Sequence, residues 1–423
     1  MGRLDKLNER ENDMKKRNIA ISILVGLCAC FIGAGASACG GKTGNKGSLK
    51  MDLSVDESYY IVAAARDKDC TEIIIPSEYK GKPVKEIGER AFYGCRSLTS
   101  IEIPEGVTWI GWYAFVGCKS LTSIEIPDSL MGIGCRAFSN CSSLTSVVLG
   151  DGVTEIGDYA FDDCSSLTGI EIPDSVTSIC DGAFKGCSSL TDIEIPDSVT
   201  EIGNYAFYNC GGLTSIKIPD SVTEIGASAF RGCSSLMSIE IPDSVTGIGC
   251  GAFENCHGLT EITLPFVGAT KGGEENTHLG YIFGASSYSE NIDYVPASLK
   301  KVTVTGVAIA GKAFYDCTSL TSVVVGDGVT SIGRSAFEDC SSLTSVVIGD
   351  GVTSIGRSAF TRCYELTSIT FEDTSTWYAV DNETDWENKT GGMEIDVTDS
   401  LTNATYFTFS YSNIYYSYCW FKL

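Results

Sequence analysis

Residues 190–210 read Leu190-Thr191-Asp192-Ile193-Glu194-Ile195-Pro196-Asp197-Ser198-Val199-Thr200-Glu201-Ile202-Gly203-Asn204-Tyr205-Ala206-Phe207-Tyr208-Asn209-Cys210. Leu190, Ile193 and Ile195 form a short β-branched run, with Ile193 and Ile195 on one face, which is the pattern of a strand. Pro196 and Asp197 turn the chain out of that strand, because proline has no N–H to give to a sheet ladder. Val199 and Ile202 then return in extended conformation on the convex side. Ala206, Phe207 and Cys210 fit one short helical turn, with Phe and Cys three residues apart. A unit this short has no room for a full helix.

Such a unit cannot bury its apolar stripe alone, so it must stack on copies of itself. The copies are present. Ala-Phe pairs end at Phe92, Phe115, Phe138, Phe161, Phe184, Phe207, Phe230 and Phe253, each 23 residues after the last, and resume at Phe314, Phe337 and Phe360. A period in this range with Leu-x-x-Leu-x-Leu spacing indicates leucine-rich repeats. The expected fold is mostly β: a right-handed solenoid of about thirteen 23-residue coils, with a parallel β-sheet on the concave face and short strands and helical turns on the convex side. At strand spacing of about 4.8 Å the stack would be roughly 60 Å long.

The repeated wording is Ile-Pro-x-Ser-Val-Thr-x-Ile-Gly-x-x-Ala-Phe-x-x-Cys-x-x-Leu-Thr. Over roughly residues 70 to 372 it resembles the BspA-like leucine-rich-repeat family of bacterial surface proteins. The resemblance implies a cell-surface location and adhesion to host matrix proteins, host cells or other bacteria. It carries over no individual binding residue.

Outside the repeats, Lys15-Lys16-Arg17 precedes an apolar run from Ile19 to Gly35 and the small residues Ala36-Ser37-Ala38 before Cys39. Basic, apolar and small-residue regions in that order make an export signal. Ala36-Ser37-Ala38-Cys39 resembles the lipobox of bacterial lipoproteins, with Ala36 where that motif carries Leu, and implies acylation of Cys39. The domain reading is a lipoprotein-type signal peptide (1–38), a flexible linker (39–50), an N-terminal cap and first coil (51–97), regular repeats (98–265), an insertion (266–298), further repeats (299–372) and a C-terminal aromatic β cap (373–423). In that cap Phe407, Phe409 and Tyr411 alternate with polar residues, and Ser412-Asn413 could turn the chain into Tyr416, Tyr418 and Trp420 as a hairpin. The same aromatics would also suit a carbohydrate surface. The insertion carries Gly272-Gly273-Glu274-Glu275-Asn276, Tyr281-Ile282-Phe283 and Tyr288, and reads equally as a binding loop or as a bulge packed by its own aromatics.

In a solenoid each repeat position becomes a column. The outward strand position gives Glu102, Glu125, Val148, Glu171, Glu194, Lys217, Glu240, Thr263, Val324, Val347 and Thr370, acidic at first and neutral to apolar at the end. Like charges on adjacent strands oppose folding by a few tenths of a kcal/mol, up to about 1. Two readings stand side by side: duplication of one repeat, or a concave site for a basic partner. The candidate contact residues are Glu102, Glu125, Glu171, Glu194, Lys217 and Glu240. A second acidic column (Glu105, Asp128, Asp151, Asp174, Asp197, Asp220, Asp243, Asp327, Asp350, Asp373) is read as turn-forming, with Ca²⁺ between coils as the alternative. The cysteine column (Cys95, Cys118, Cys141, Cys164, Cys187, Cys210, Cys233, Cys256, Cys317, Cys340, Cys363) is read as buried thiols. Cys135, Cys180 and Cys250 fall off it and are the candidates for exposure.

Net charge is -24, which excludes nucleic-acid binding and attraction to a bare anionic membrane. With 43% apolar residues there is ample material for a large buried core, and acidity of this size favours a monomer. Only His257 and His278 exist, no catalytic or phosphate-binding motif appears, and no CxxC suggests zinc, so no catalytic, cofactor or metal residue is assigned. Asn382, Asn388 and Asn403 sit in glycosylation sequons, read as incidental. The expected function is non-enzymatic surface binding of host or bacterial surface proteins or glycans. Membrane contact would run only through a lipid anchor, and the alternative is a structural spacer.

Overall fold

The structure is a computed structural model that describes residues 47–380, 393–398, 403–404 and 419–422. The apolar leader with Cys39 and the aromatic run 407–418 lie outside the described residues. The chain from Asn45 onward forms one compact unit, a mostly β, parallel-strand solenoid of about 14 turns spaced roughly 23 residues apart.

Each coil contributes to two sheets. On the concave side lie Ser123–Glu125, Ser146–Val148 and Gly169–Glu171, then single bridges at Glu194 and Lys217, and farther on Ser238–Glu240, Glu261–Leu264, Lys301–Gly306, Ser322–Gly328, Ser345–Ile348 and Ser368–Phe371. On the return side the two-residue strands Trp109–Ile110, Gly132–Ile133, Glu155–Ile156, Ser178–Ile179, Glu201–Ile202, Glu224–Ile225 and Gly247–Ile248 form one unbroken parallel ladder. The Val199-to-Ile202 segment is therefore extended, and it builds the longer of the two hydrogen-bonded sheets. Pairing is in register from coil to coil, with Glu201 opposite Glu224 and Ile202 opposite Ile225, so all apolar positions face inward together.

The third edge carries the Ala-Phe segment. Its turn is a run of single turns: Tyr208 N–H donates to Tyr205 O at 3.0 Å and Cys210 N–H to Phe207 O at 3.1 Å. Tyr205 (φ 57°) and Asn209 (φ 58°) are left-handed, which stops the segment from continuing as a helix. Phe207 N–H reaches across to Ala229 O at 2.8 Å, so this edge is also stitched coil to coil. The rings stack nearly parallel, with centroids 4.9–5.7 Å apart from Phe92 to Phe253 and 4.7–5.1 Å apart from Phe314 to Phe360. All eleven are fully buried, each worth about 2–3 kcal/mol of apolar transfer.

The polar letters of the repeat have structural work of their own. Ser198 and Ser221 hydroxyls donate to Val176 O and Val199 O of the preceding coil, and Thr145, Thr191 and Thr214 do the same to Thr122, Thr168 and Thr191 carbonyls. Gly226 is required by close approach: a Cβ there would lie 2.4 Å from Asn204 N. Each column cysteine from Cys118 to Cys256, and Cys340 and Cys363, donates its thiol to the Phe carbonyl 26 residues earlier, at 3.1–3.3 Å. The described cysteines are all free thiols. Cys250 is exposed, Cys135 and Cys180 half-buried, and the column fully buried. Among the described cysteines, brief alkylation of the native protein should therefore modify Cys250 first, Cys135 and Cys180 slowly, and the column last, as read by peptide mass spectrometry. Early labelling of Cys187 or Cys210 would contradict the packing.

The interruption is one enlarged coil. Concave pairing passes directly from Glu261–Leu264 to Lys301–Gly306, with Ile262 opposite Val302. The additional chain goes to the other edges. The 3₁₀ turn Leu279–Phe283 takes the place of an Ala-Phe segment, with Phe253 N–H donating to Ile282 O and Leu279 N–H to Ala313 O, both at 2.8 Å. A one-turn helix, Asn291–Tyr294, then leads back to the sheet. Asn291 is fully buried and anchors this detour, accepting from Gly280 N–H at 2.9 Å and donating to Tyr315 O at 2.9 Å.

Both ends of the return ladder finish on antiparallel strands. Leu49–Leu53 pairs antiparallel with Tyr60–Ala65, and Cys419–Lys422 pairs antiparallel with both Ser354–Ile355 and Trp377–Val380. Trp377 and Trp420 are buried against the last coils, covering apolar surface that a solenoid end would otherwise leave in water. Asn403 is also fully buried, its amide donating to Ile369 O and Val397 O, so it offers no glycan acceptor; Asn382 and Asn388 lie outside the described residues.

Candidate functional site

The concave strands alternate by necessity. Ile170, Ile193 and Ile239 point into the core, so Glu171, Glu194 and Glu240 point out. Glu102, Glu125, Glu171, Glu194, Lys217 and Glu240 are all exposed. Parallel in-register pairing stacks the column: Val148 lies between Glu125 and Glu171, Glu171 is bridged to Glu194, and Glu194 to Lys217. Toward the C-terminal end Thr263, Thr303, Val324 and Val347 continue the same register, half-buried. Among the described residues no ion pair engages the carboxylates at 102, 125, 171, 194 or 240. The result is a rigid row of negative charge held by the backbone ladder, with Lys217 inside it.

The second acidic column behaves differently. Asp128 accepts from Asp151 N–H and Asp327 from Asp350 N–H, both at 3.1 Å, so these carboxylates cap the turn of the next coil. Among the described residues no group of three or more His, Cys, Asp or Glu side chains converges on a possible metal position. His278 is buried with Nδ1 3.2 Å from Asn291 Oδ1, and burial lowers its pKa below the usual histidine value. His257 is exposed on an ordinary coil.

The enlarged coil presents Tyr288, Ile292 and Tyr294 to solvent, with the Lys312 ammonium 4.2 Å from the Tyr288 ring centroid. Sequence reasoning singled out this segment but missed a second exposed aromatic group, Trp109 and Trp112, at 38% and 57% exposure. The signal was available. Trp109 stands in the column that holds Glu155, Ser178, Glu201 and Glu224 in later coils. A bulky aromatic in a polar outward column is the break that a purely repetitive reading averages away.

The family described as a BspA type leucine rich repeat region (6 copies) matches residues 65–168, 154–271 and 307–420, most of the chain. A leucine-rich repeat protein from Bacteroides ovatus is 32% identical, with 76% of this chain and 87% of that chain covered at a TM-score of 0.50. A leucine rich cell surface protein from Faecalibacterium prausnitzii is 28% identical, with 85% and 100% covered at a TM-score of 0.47. Among curated proteins none matches the chain. In the described residues no helix is long and apolar enough to cross a membrane.

Proposed function

The chain belongs to the BspA-type leucine-rich-repeat family, and on that premise we propose that it is a non-enzymatic surface binding protein, an adhesin that grips the basic region of a host or bacterial surface protein with its concave face. Family members are repeat proteins of bacterial surface type, generally protein-binding, on a scaffold that is typically non-enzymatic. The observation that supports the finer reading is the exposed column Glu102, Glu125, Glu171, Glu194 and Glu240, held in register from Glu125 through Glu194, whose carboxylates make no ion pair among the described residues. Like charges held at strand spacing disfavour folding slightly. A basic partner converts that cost into attraction, and the row steers its approach at low salt. Export with acylation at Cys39, or secretion, would place this face outside the cell.

The test is binding of the full-length protein to host cells, matrix proteins and other bacteria, beside a variant with all five glutamates changed to Gln. Saturable binding is expected for the native protein. It should weaken steeply between 50 and 500 mM salt, as screening predicts, and fall by two orders of magnitude or more in the variant. The variant's thermal midpoint should hold or rise, because repulsion between neighbouring strands is relieved. Binding kept by the variant would move the contact surface elsewhere. A complete absence of saturable binding would favour a structural spacer.

A further inference from the structure

On the return side of the first coils, a shallow groove of about 200 Å³ is lined by Glu86, Gly88, Glu89, Trp109, Gly111 and Trp112. The two indoles lean toward the following coil. A Cβ on Gly132 would lie 2.4 Å from Trp109 Cζ3, and one on Gly134 would lie 2.8 Å from Trp112 Cδ1. Gly132 stands where later coils carry Glu155, Ser178, Glu201 and Glu224, so the Trp109 ring fills space that a side chain takes there, whereas Gly134 is the repeat's own glycine, as are Gly157, Gly203 and Gly226. On the facing coil, the Tyr59 hydroxyl donates to Glu86 Oε1 and fixes that carboxylate, while Glu89 is exposed beside it. No cationic side chain lines the groove.

The same chain repeatedly pairs an aromatic face with a carboxylate and fills the pair with a cation: an ammonium where Lys422 lies 6.0 Å from the Trp377 centroid and 2.7 Å from Asp373, and a guanidinium at three other places. Arg136 lies 4.3 Å from the Tyr159 ring centroid and 3.2 Å from Asp162. Arg231 lies 5.7 Å from the Tyr208 centroid and 2.8 Å from Glu254, and Arg90 lies 5.0 Å from the Tyr113 centroid and 2.6 Å from Glu89. The Trp109–Trp112 groove offers two indoles beside two carboxylates, Glu86 accepting from Tyr59 and Glu89 shared with the exposed Arg90. We infer that it is a binding site for an arginine side chain in a basic segment of a partner protein. A guanidinium is planar, weakly hydrated and carries five donors, so it stacks on indole while forking onto carboxylate. An ammonium offers a point charge without the stacking plane, and a neutral sugar leaves the two negative charges unmatched. The Glu89–Arg90 pair is solvent-exposed, with side-chain exposures of 50% and 59%, and a surface pair of this kind yields readily to a better-placed donor. The site stands apart from the concave row and does not depend on it.

The test titrates the full-length protein with N-acetyl-arginine amide, its uncharged citrulline counterpart, the lysine counterpart and methyl glucoside, reading the indole Nε1–H resonances. Trp377 and Trp420 are buried and serve as internal references. Arginine amide should shift the Trp109 and Trp112 signals saturably, lysine amide should bind several-fold more weakly, and citrulline should have no effect. Trp112→Ala and Glu89→Gln should each weaken binding about five- to tenfold. Trp112 is largely solvent-exposed, so its truncation spares the fold, and Trp109→Phe keeps a ring should Trp109→Ala disturb the strand. The concave Glu→Gln variant should bind arginine amide unchanged, which separates this site from the concave reading. Equal response to citrulline, saturation by methyl glucoside instead, or no saturable shift with arginine amide would each overturn the proposal.

Discussion

Phe207→Ala should destabilise the central coils by about 3–5 kcal/mol, the range for emptying a buried aromatic site. Phe207 is fully buried, with stacked neighbours Phe184 and Phe230 at 5.6 and 5.3 Å between centroids. The cavity could close only if coils moved together. That movement is opposed on the return side by the Ile202–Ile225 ladder and at the turn by Phe207 N–H to Ala229 O. The void is thus shared between two interfaces, and both neighbour terms of a one-dimensional stack weaken at once. Hydrogen exchange should show residues 184–230 losing protection first, while a urea midpoint reports the loss of stability. Tyr208→Ala, one residue along and half-exposed, should cost under about 1 kcal/mol and serves as the control. Phe92→Ala should cost less than Phe207→Ala, since Phe92 stacks on one ring of the column, Phe115. A loss below 1 kcal/mol at Phe207 would mean that the column repacks freely and does not hold the coils apart.

The second large effect is alkaline. Burial pushes the thiols of Cys164, Cys187, Cys210, Cys233, Cys317, Cys340 and Cys363 up from the ordinary value of 9.0, and raises Cys256 to about 12. The cause is desolvation, since a thiolate inside the Phe column would lose its water. Cys118 is also raised, chiefly by its thiol neighbour Cys141 and then by burial. Below pH 9 these groups are protonated in both states, and their contribution to stability is fully present. Above pH 9 the unfolded chain releases protons that the folded chain retains, so stability falls as pH rises through 9 toward 12 and beyond. Each thiol contributes about 1.4 kcal/mol per pH unit in that window. The nine together reach on the order of 10 kcal/mol by pH 10, comparable to the whole stability of an ordinary domain. Under reducing conditions the urea midpoint should therefore be nearly flat from pH 7 to 8.5 and collapse between 9 and 10. A variant carrying Cys187→Ala, Cys210→Ala and Cys233→Ala should lose about three protons' worth of that slope, whatever its stability at pH 7. Identical slopes in the two proteins would show that the column is not the titrating element.

Much of this architecture was readable from single letters. The 23-residue spacing of Ala-Phe names the stack, because one coil exposes apolar surface on both sides and identical neighbours cover it. Alternation in Ile-Glu-Ile names the inward and outward faces, since a strand's side chains have period 2. Hence the exposed Glu102-to-Glu240 column and the buried cysteine column follow from position alone. The turn at Tyr205 and Asn209 was less legible. Helical spacing of Phe207 and Cys210 is equally satisfied by successive single turns, and the left-handed φ values that separate the two arise from pairing with the next coil.

What required the tertiary structure was everything that depends on which coil faces which. Only stacking shows that Asp128 and Asp327 accept N–H groups from the next coil while Glu171 and Glu194 accept nothing comparable, although both columns look alike in sequence. Only stacking shows that residues 265–300 enlarge one coil without breaking the concave sheet, because Ile262 finds Val302 across 40 residues. The Trp109–Trp112 groove likewise exists because Gly132 of one coil, where later coils carry side chains, leaves room for the Trp109 indole of another, and Glu86 and Glu89 of a third face it. The repeat by itself determined the period, the faces and the core, which are local consequences of burying one apolar stripe. The exceptions in the columns acquire meaning through neighbours 23 or more residues away, and the three-dimensional stack alone brings those neighbours into contact.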